Sequence, residues 1–156
     1  MREFDALIIG GGQAGPPLAE RLSRSGCRVA LFERKQLGGT CVNTGCIPTK
    51  AMVASAYAAH MARRGHEYGV VPNGSIRVDL GKVKARKDEI SGNSRRSVEK
   101  WLAKSANLTV IYGHARFADS RTLIVNGERY TAPKIFINVG ARPFVPPLYG
   151  DRKSVV

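Results

Sequence analysis

Apolar and polar positions follow several different periods along this chain, and each change of period marks an element. Asp5-Ala6-Leu7-Ile8-Ile9 is a short, almost continuous apolar run that stops at Gly10. A run of that length without polar alternation predicts a parallel strand covered on both faces. Leu18, Ala19 and Leu22 follow at helical spacing as far as Gly26, a helix stop. A second apolar run, Arg28-Val29-Ala30-Leu31-Phe32, predicts another strand and ends at Glu33. Ala51 to Arg64 is rich in good helix formers and continues from the segment before it as one helix. Asp79 to Ala106 predicts a long helix on a partly regular stripe of Val83, Ile90, Val98 and Leu102, with Gly92 as its weak point. From Leu108 the period becomes strand-like. Strands are predicted over 108–112, 115–117, 122–125, 129–131 and 134–139, with Asn126-Gly127 as a hairpin turn.

The first two strands bracket a recognisable turn. Gly10-Gly11-Gly12-Gln13-Ala14-Gly15 matches G-x-G-x-x-G and opens the first helix. Gly10 permits a tight turn, Gly12 lets backbone approach a pyrophosphate, and Gly15 allows close packing of helix on strand. The helix N-terminus adds N–H donors and a positive dipole. Glu33 stands 18 residues after Gly15, where an acid hydrogen-bonds a ribose. Strand, turn, helix, second strand and terminal acid in this order point to dinucleotide binding. Pro16-Pro17 predicts an adjusted first helical turn, because a proline past the free N–H positions disrupts the ladder.

Cys41-Val42-Asn43-Thr44-Gly45-Cys46 makes a separate physical demand. Five residues of ideal helix separate Cα atoms by roughly 8 to 9 Å. A disulfide needs roughly 4.4 to 6.8 Å. A bond between these two cysteines would require the chain to leave regular helix between them, and Gly45 is placed to allow it. A bond there should be reducible, which suits catalysis better than structural support. Cys27 stands apart and has a packing role. No second ligand pair stands at zinc-like spacing, and His60 alone does not supply one, so no metal site is expected. His60, His66 and His114 are ordinary surface or core residues, outside any recognisable triad.

Leu37-Gly38-Gly39-Thr40-Cys41-Val42-Asn43-Thr44-Gly45-Cys46-Ile47-Pro48-Thr49-Lys50 resembles the redox-active signature of the pyridine nucleotide-disulfide oxidoreductases. That is the flavoenzyme family of glutathione reductase, dihydrolipoamide dehydrogenase and mercuric reductase. The resemblance runs from about Phe4 to about Gly150 and implies an α/β fold. Its form would be a Rossmann-like, three-layer, parallel-sheet FAD-binding domain with an antiparallel β-meander, incomplete in this chain. It implies FAD as cofactor and NAD(P)H as cosubstrate of a full-length parent. Cys41 would be the interchange thiol that meets the acceptor, and Cys46 the charge-transfer thiol against the flavin ring. Gly10, Gly12, Gln13, Ala14, Gly15 and Glu33 would hold the dinucleotide, with Gly39 and Thr40 facing its pyrophosphate. Lys50 would lie near the flavin N5 side, and Ala115 would bring backbone near the adenine. Ile137-Asn138-Val139-Gly140-Ala141-Arg142-Pro143 resembles the family's Ala-Thr-Gly-x-x-Pro turn at the flavin. Val139 replaces the usual hydroxyl residue there, so only the Gly140 backbone role carries over.

In that family, electrons pass from NAD(P)H through FAD to the Cys41–Cys46 disulfide and then to a small disulfide, thiol or mercuric substrate. The full-length family is homodimeric. Residues 1–150 would be the first part of the FAD domain and 151–156 an off-pattern tail. The second nucleotide domain, the C-terminal dimerisation domain with its His-Glu pair, and the cysteine pair that mercury chemistry needs have no counterpart in these 156 residues. Negligible turnover and at best weak FAD binding are therefore expected of this stretch alone. A stand-alone FAD-binding or thiol-redox module is the alternative.

Charge adds a third reading and then weakens it. The chain carries 25 basic and 12 acidic residues, a net charge of +13, which invites a nucleic-acid partner. The excess is spread along the sequence, Trp101 is the only tryptophan, and no aromatic platform accompanies the cations of the long helix. No nucleic-acid partner is expected. Three cysteines cannot staple a secreted scaffold, and the start lacks a signal-peptide pattern. Ala51 to Ala59, the longest small-apolar run, falls short of a bilayer span. The expected setting is cytoplasmic, without a membrane.

Overall fold

The computed structural model describes residues 1–71 and 73–147. The end of the family-like pattern at residues 148–150 and the 151–156 tail lie outside the described residues. The strands are β1 (Arg2–Glu3), β2 (Ala6–Ile9), β3 (Val29–Glu33), β4 (Leu108–Tyr112), β5 (Arg116–Asp119), β6 (Thr122–Val125), β7 (Glu128–Thr131) and β8 (Lys134–Ile137). The helices are α1 (Gly15–Arg24), α2 (Gly39–Asn43), α3 (Cys46–Arg63) and α4 (Leu80–Leu102), with a 3-10 turn at Gly65–Tyr68.

Four strands form a parallel sheet in the order β4-β3-β2-β8. β2 is central, with Ala6 opposite Val29 on one side and Lys134 on the other. Its residues alternate between two apolar clusters, which is why its sequence reads as continuous. Ala6 and Ile8 join Val29 and Leu31 against Ala19 of α1, Leu37 and Leu102 of α4. Leu7 joins Ala30 and Phe32 on the opposite face, against Leu123, Val125, Tyr130 and Ala132. The second face is covered by a sheet in the order β1-β7-β6-β5, in which β5, β6 and β7 form the antiparallel meander. Helices, parallel sheet and meander make three layers, as expected of a Rossmann-like α/β domain. Phe32 meets Tyr130 edge-on at 5.1 Å between ring centroids, closing the contact between the two sheets.

Several boundaries differ from the sequence pattern for identifiable reasons. Both prolines of α1 fall inside its first turn, where N–H groups have no intrahelical acceptor, so the expected adjustment is not needed. The helix stops where Gly26 takes φ +92° and its N–H bonds to Ser23 O. α4 starts behind Asp79, whose Oδ1 accepts from Lys82 N–H at 3.0 Å. It ends at Leu102 rather than Ala106, because the N–H groups of Lys104 and Ser105 turn back to Trp101 O and Leu102 O. Gly92 does not break it. The strand expected over 115–117 lies one residue later, since Ala115 is drawn against the second apolar cluster. β8 stops at Ile137, after which Asn138 N–H bonds to Ile9 O. Asn126 (φ 51°) and Gly127 (φ 84°) form the hairpin turn as their identities require. Cys27 packs against the first cluster, in the role expected of it.

Candidate functional site

The candidate site lies at the carboxyl ends of β2, β3 and β8, the edge at which open α/β sheets place ligands. Gly10 leaves β2 with φ +108°, and a Cβ there would sit 2.2 Å from Asn138 O. Only glycine lets β2 and β8 approach so closely. A Cβ on Gly15 would fall 2.0 Å from Gly10 O, so Gly15 sets the packing of α1 on the turn. Gly12 is different. The space beyond its Cα is open, with Gly39 Cα the nearest atom at 3.9 Å from a Cβ position. The turn is therefore an open cradle at Gly12, where a side chain would take up the space left to a ligand.

Glu33 ends β3 beside this turn. Its Oε2 accepts from Gly11 N–H at 2.8 Å and its Oε1 from Lys35 N–H at 2.7 Å. Each oxygen keeps a lone pair for a ribose hydroxyl. Gly113 N–H bonds to Glu33 O at 2.9 Å, which places Ala115, two residues on, near the same strand end. Ala14 is the exposed N-cap residue of α1.

The segment carrying the cysteines is bolted to the glycine turn. Gly38 (φ +94°) and Gly39 (φ +58°) swing the chain from Leu37 into α2. Gly38 N–H donates to Gly11 O at 2.7 Å, and Gln13 Nε2 donates to Gly38 O at 3.2 Å. A Cβ on Gly39 would come within 2.7 Å of Gly12 Cα, so the two backbones meet directly. Thr40 O accepts from both Thr44 N–H at 3.0 Å and Gly45 N–H at 2.7 Å, and there the helical path breaks. Gly45 takes φ −118° and ψ −106° between α2 and α3. The departure from regular helix demanded by the cysteine spacing is therefore present.

Cys41 lies in α2, half-buried, and Cys46 is exposed in the first turn of α3; both are free thiols. The Cys41 thiol is held above its ordinary pKa, first by its hydrogen bond to Cys46, then by desolvation and by the charge of Cys46. The Lys50 ammonium, one turn beyond Cys46, acts in the opposite direction. Two neighbouring thiols can close to a disulfide and be reopened by an electron pair.

Gly140 lies just past β8 with φ +71° and open space where its Cβ would be. Val139 is 63% exposed beside it. His60, His66 and His114 are all exposed, and no group of three metal-ligating side chains occurs among the described residues. No helix among the described residues is long and apolar enough to cross a membrane. Sequence reasoning missed Asn43. Its Nδ2 donates to Leu37 O at 3.0 Å and to Gly39 O at 2.9 Å, across the double-glycine turn. An amide two residues after Cys41 was the available signal.

A dinucleotide-type glycine turn thus lies against a segment that carries two neighbouring thiols. Residues 4–156 match the pyridine nucleotide-disulphide oxidoreductase family, and the chain belongs to it. It is 31% identical over 153 residues to a dihydrolipoyl dehydrogenase of Acholeplasma laidlawii, covering 98% of this chain and 45% of that one. A mercuric reductase of Shigella flexneri is 38% identical over 152 residues, covering 92% and 26%. Among solved structures, the Cu(II) complex of the HOCl-induced flavoprotein disulfide reductase RclA from Escherichia coli superimposes with a TM-score of 0.75. Its identity is 36%, over 95% of this chain and 31% of that one. The chain thus spans less than half the length of these relatives. Family membership carries FAD as cofactor, and the open cradle at Gly12 is consistent with it.

Proposed function

We propose that these residues form the first FAD-binding portion of an NAD(P)H-dependent disulfide or mercuric-ion oxidoreductase. The observation that carries this reading is the contact between the Cys41–Cys46 thiol pair and the glycine turn through Gly38 and Gly39. Gly10, Gly12, Gln13, Ala14 and Gly15 would form the turn around the pyrophosphate, opposite Gly39 and Thr40. Glu33 would hold the adenosine ribose, Ala115 would offer backbone to the adenine, and Lys50 and Gly140 would lie at the flavin. When bound, FAD supplies two-electron transfer from NAD(P)H to the disulfide.

The protein's own part is thiol chemistry. Reduction of the Cys41–Cys46 bond takes two electrons and two protons and yields two thiols. Cys41 is the interchange thiol of this reading. It would attack a disulfide substrate as its thiolate, form a mixed disulfide and release one thiol; Cys46 would then attack Cys41 Sγ and release the second. The pair returns to its oxidised form, and the electrons leave with the substrate. The same two thiols can hold a soft mercuric ion. A homodimer in a cytoplasmic setting, without nucleic acid, completes the proposal.

Redox titration of the purified protein tests it. Oxidised glutathione should convert Cys41 and Cys46 to one intramolecular disulfide, seen as the loss of two alkylatable thiols while Cys27 stays reactive. Failure to form that bond would overturn the reading. These 156 residues alone should not oxidise NADH or NADPH with FAD and a disulfide acceptor. Steady turnover by them would favour a complete enzyme instead.

A further inference from the structure

We infer that Asn43 is a positioning residue for Cys41: its side-chain amide clamps the Leu37–Gly39 turn and so fixes the geometry in which Cys41 meets Cys46. The inference rests on the thiol-redox reading and deepens it.

The Leu37–Gly39 turn is anchored to the neighbouring glycine turn through Gly38, but few bonds within the segment itself set its shape. Two consecutive residues, Gly38 and Gly39, take positive φ, a conformation that glycine leaves readily in either direction. The helix that follows is only five residues long, below the length at which a helix sustains itself. Its entry bond, from Val42 N–H to Gly38 O, is long at 3.4 Å. Against this background the two hydrogens of Asn43 Nδ2 reach Leu37 O, before the turn, and Gly39 O, inside it. They bracket both glycines. Cys41 lies midway between Gly39 and Asn43, so a change in the turn displaces its sulfur relative to Cys46 across the Gly45 break.

Residue chemistry narrows the choice at position 43. Aspartate is nearly isosteric but offers acceptors only, against two carbonyl oxygens that need donors. Alanine leaves both carbonyls without that partner. Serine keeps one donor on a shorter arm. Thr44 is the natural control, since its Oγ1 contact to Thr40 O, at 3.5 Å, is marginal and bridges no glycine.

The test is equilibration of the full chain in glutathione redox buffers, in which two protein thiols become one disulfide as oxidised glutathione becomes two reduced molecules. The fraction of disulfide is read by thiol alkylation and mass, with thermal melting followed on the same samples. Asn43→Ala and Asn43→Asp should lower the equilibrium constant for closing the Cys41–Cys46 bond at least tenfold, while Thr44→Ala leaves it unchanged. Asn43→Ser should fall between and carries the comparison if the alanine variant does not fold. Equal constants in wild type and Asn43 variants overturn the positioning role. A wild-type protein that closes no bond at any ratio overturns the redox reading beneath it, so the two failures are distinguishable. A shift in melting temperature with an unchanged constant also overturns the inference, since it would mark Asn43 as a fold-stabilising residue only.

Discussion

Gly11 N–H donates to Glu33 Oε2 at 2.8 Å, tying the turn after β2 to the last residue of β3. The carboxylate expected to serve a ribose is therefore also part of the scaffold. Replacing Glu33 by alanine strands the part-buried Gly11 N–H and removes the acceptor for Lys35 N–H. A charge-assisted bond of this kind is worth about 1.5–3 kcal/mol, and Glu33→Ala should cost stability in that range by urea denaturation. Glu33→Gln keeps one oxygen acceptor and should lose less. Equal stability of wild type and alanine variant would show that the bond is not supporting the turn.

Gly12 and Gly15 should separate folding from binding. A Cβ on Gly15 collides with Gly10 O at 2.0 Å, backbone against backbone, so Gly15→Ala should cost about 3 kcal/mol, the upper end of overpacking. Gly12→Ala meets nothing inside the protein closer than 3.9 Å and should change stability by less than about 0.5 kcal/mol. The added methyl would instead occupy the cradle. Titrating FAD and following flavin fluorescence, the Gly12 variant should bind at least tenfold more weakly; unchanged affinity would remove Gly12 from the site.

The reactivity of Cys41 should depend on its neighbours in a set direction. Alkylation by iodoacetamide needs the thiolate, and Cys46 is the first cause holding the Cys41 proton in place. Cys46→Ser should shift the alkylation midpoint of Cys41 to lower pH, and Lys50→Met should shift it higher. The folded value lies above the unfolded one, so this group's contribution to stability is complete below the unfolded value. It is lost as pH rises through the folded value. A midpoint indifferent to both substitutions would contradict the arrangement of the three side chains.

Asp79 offers a check far from the site. Its carboxylate caps α4 through Lys82 N–H, and Asp79→Ala should cost about 1 kcal/mol in thermal or urea unfolding without altering thiol chemistry. A change in the glutathione equilibrium of that variant would mean that α4 transmits strain to the cysteines.

The parts of this architecture that were legible in the sequence are those set by single residues or by strict period. β2 and β3 were readable because both their faces are buried, and the Asn126-Gly127 turn because its backbone needs left-handed residues. Gly10 and Gly15 could be assigned because a side chain at either would strike a carbonyl. The break at Gly45 followed from the reach of a disulfide. Other features depend on partners distant in sequence and left no local mark. Among the described residues β1 pairs only with β7, and Ala115 is drawn from its strand by a cluster assembled from four other strands. The double role of Glu33 and the clamp of Asn43 depend on where the chain returns, which periodicity does not encode.

The position of β2 in the sheet governs the order in which the domain can assemble. It pairs with β3 nearby in sequence, but its other neighbour is β8, which follows far later in the chain. Until Lys134–Ile137 arrives, one edge of the central strand has unpaired backbone groups and the glycine turn lacks the Asn138 contact that shapes it. Parallel pairing across such a sequence distance is slow, because loop closure precedes any gain from contact. A nascent chain would form the β2-α1-β3 unit first and carry an open, apolar edge past the synthesis of the long helix. Pulse-labelled amides of β2 that face β8 should gain protection last, which makes this the interval of greatest exposure to aggregation or to a chaperone.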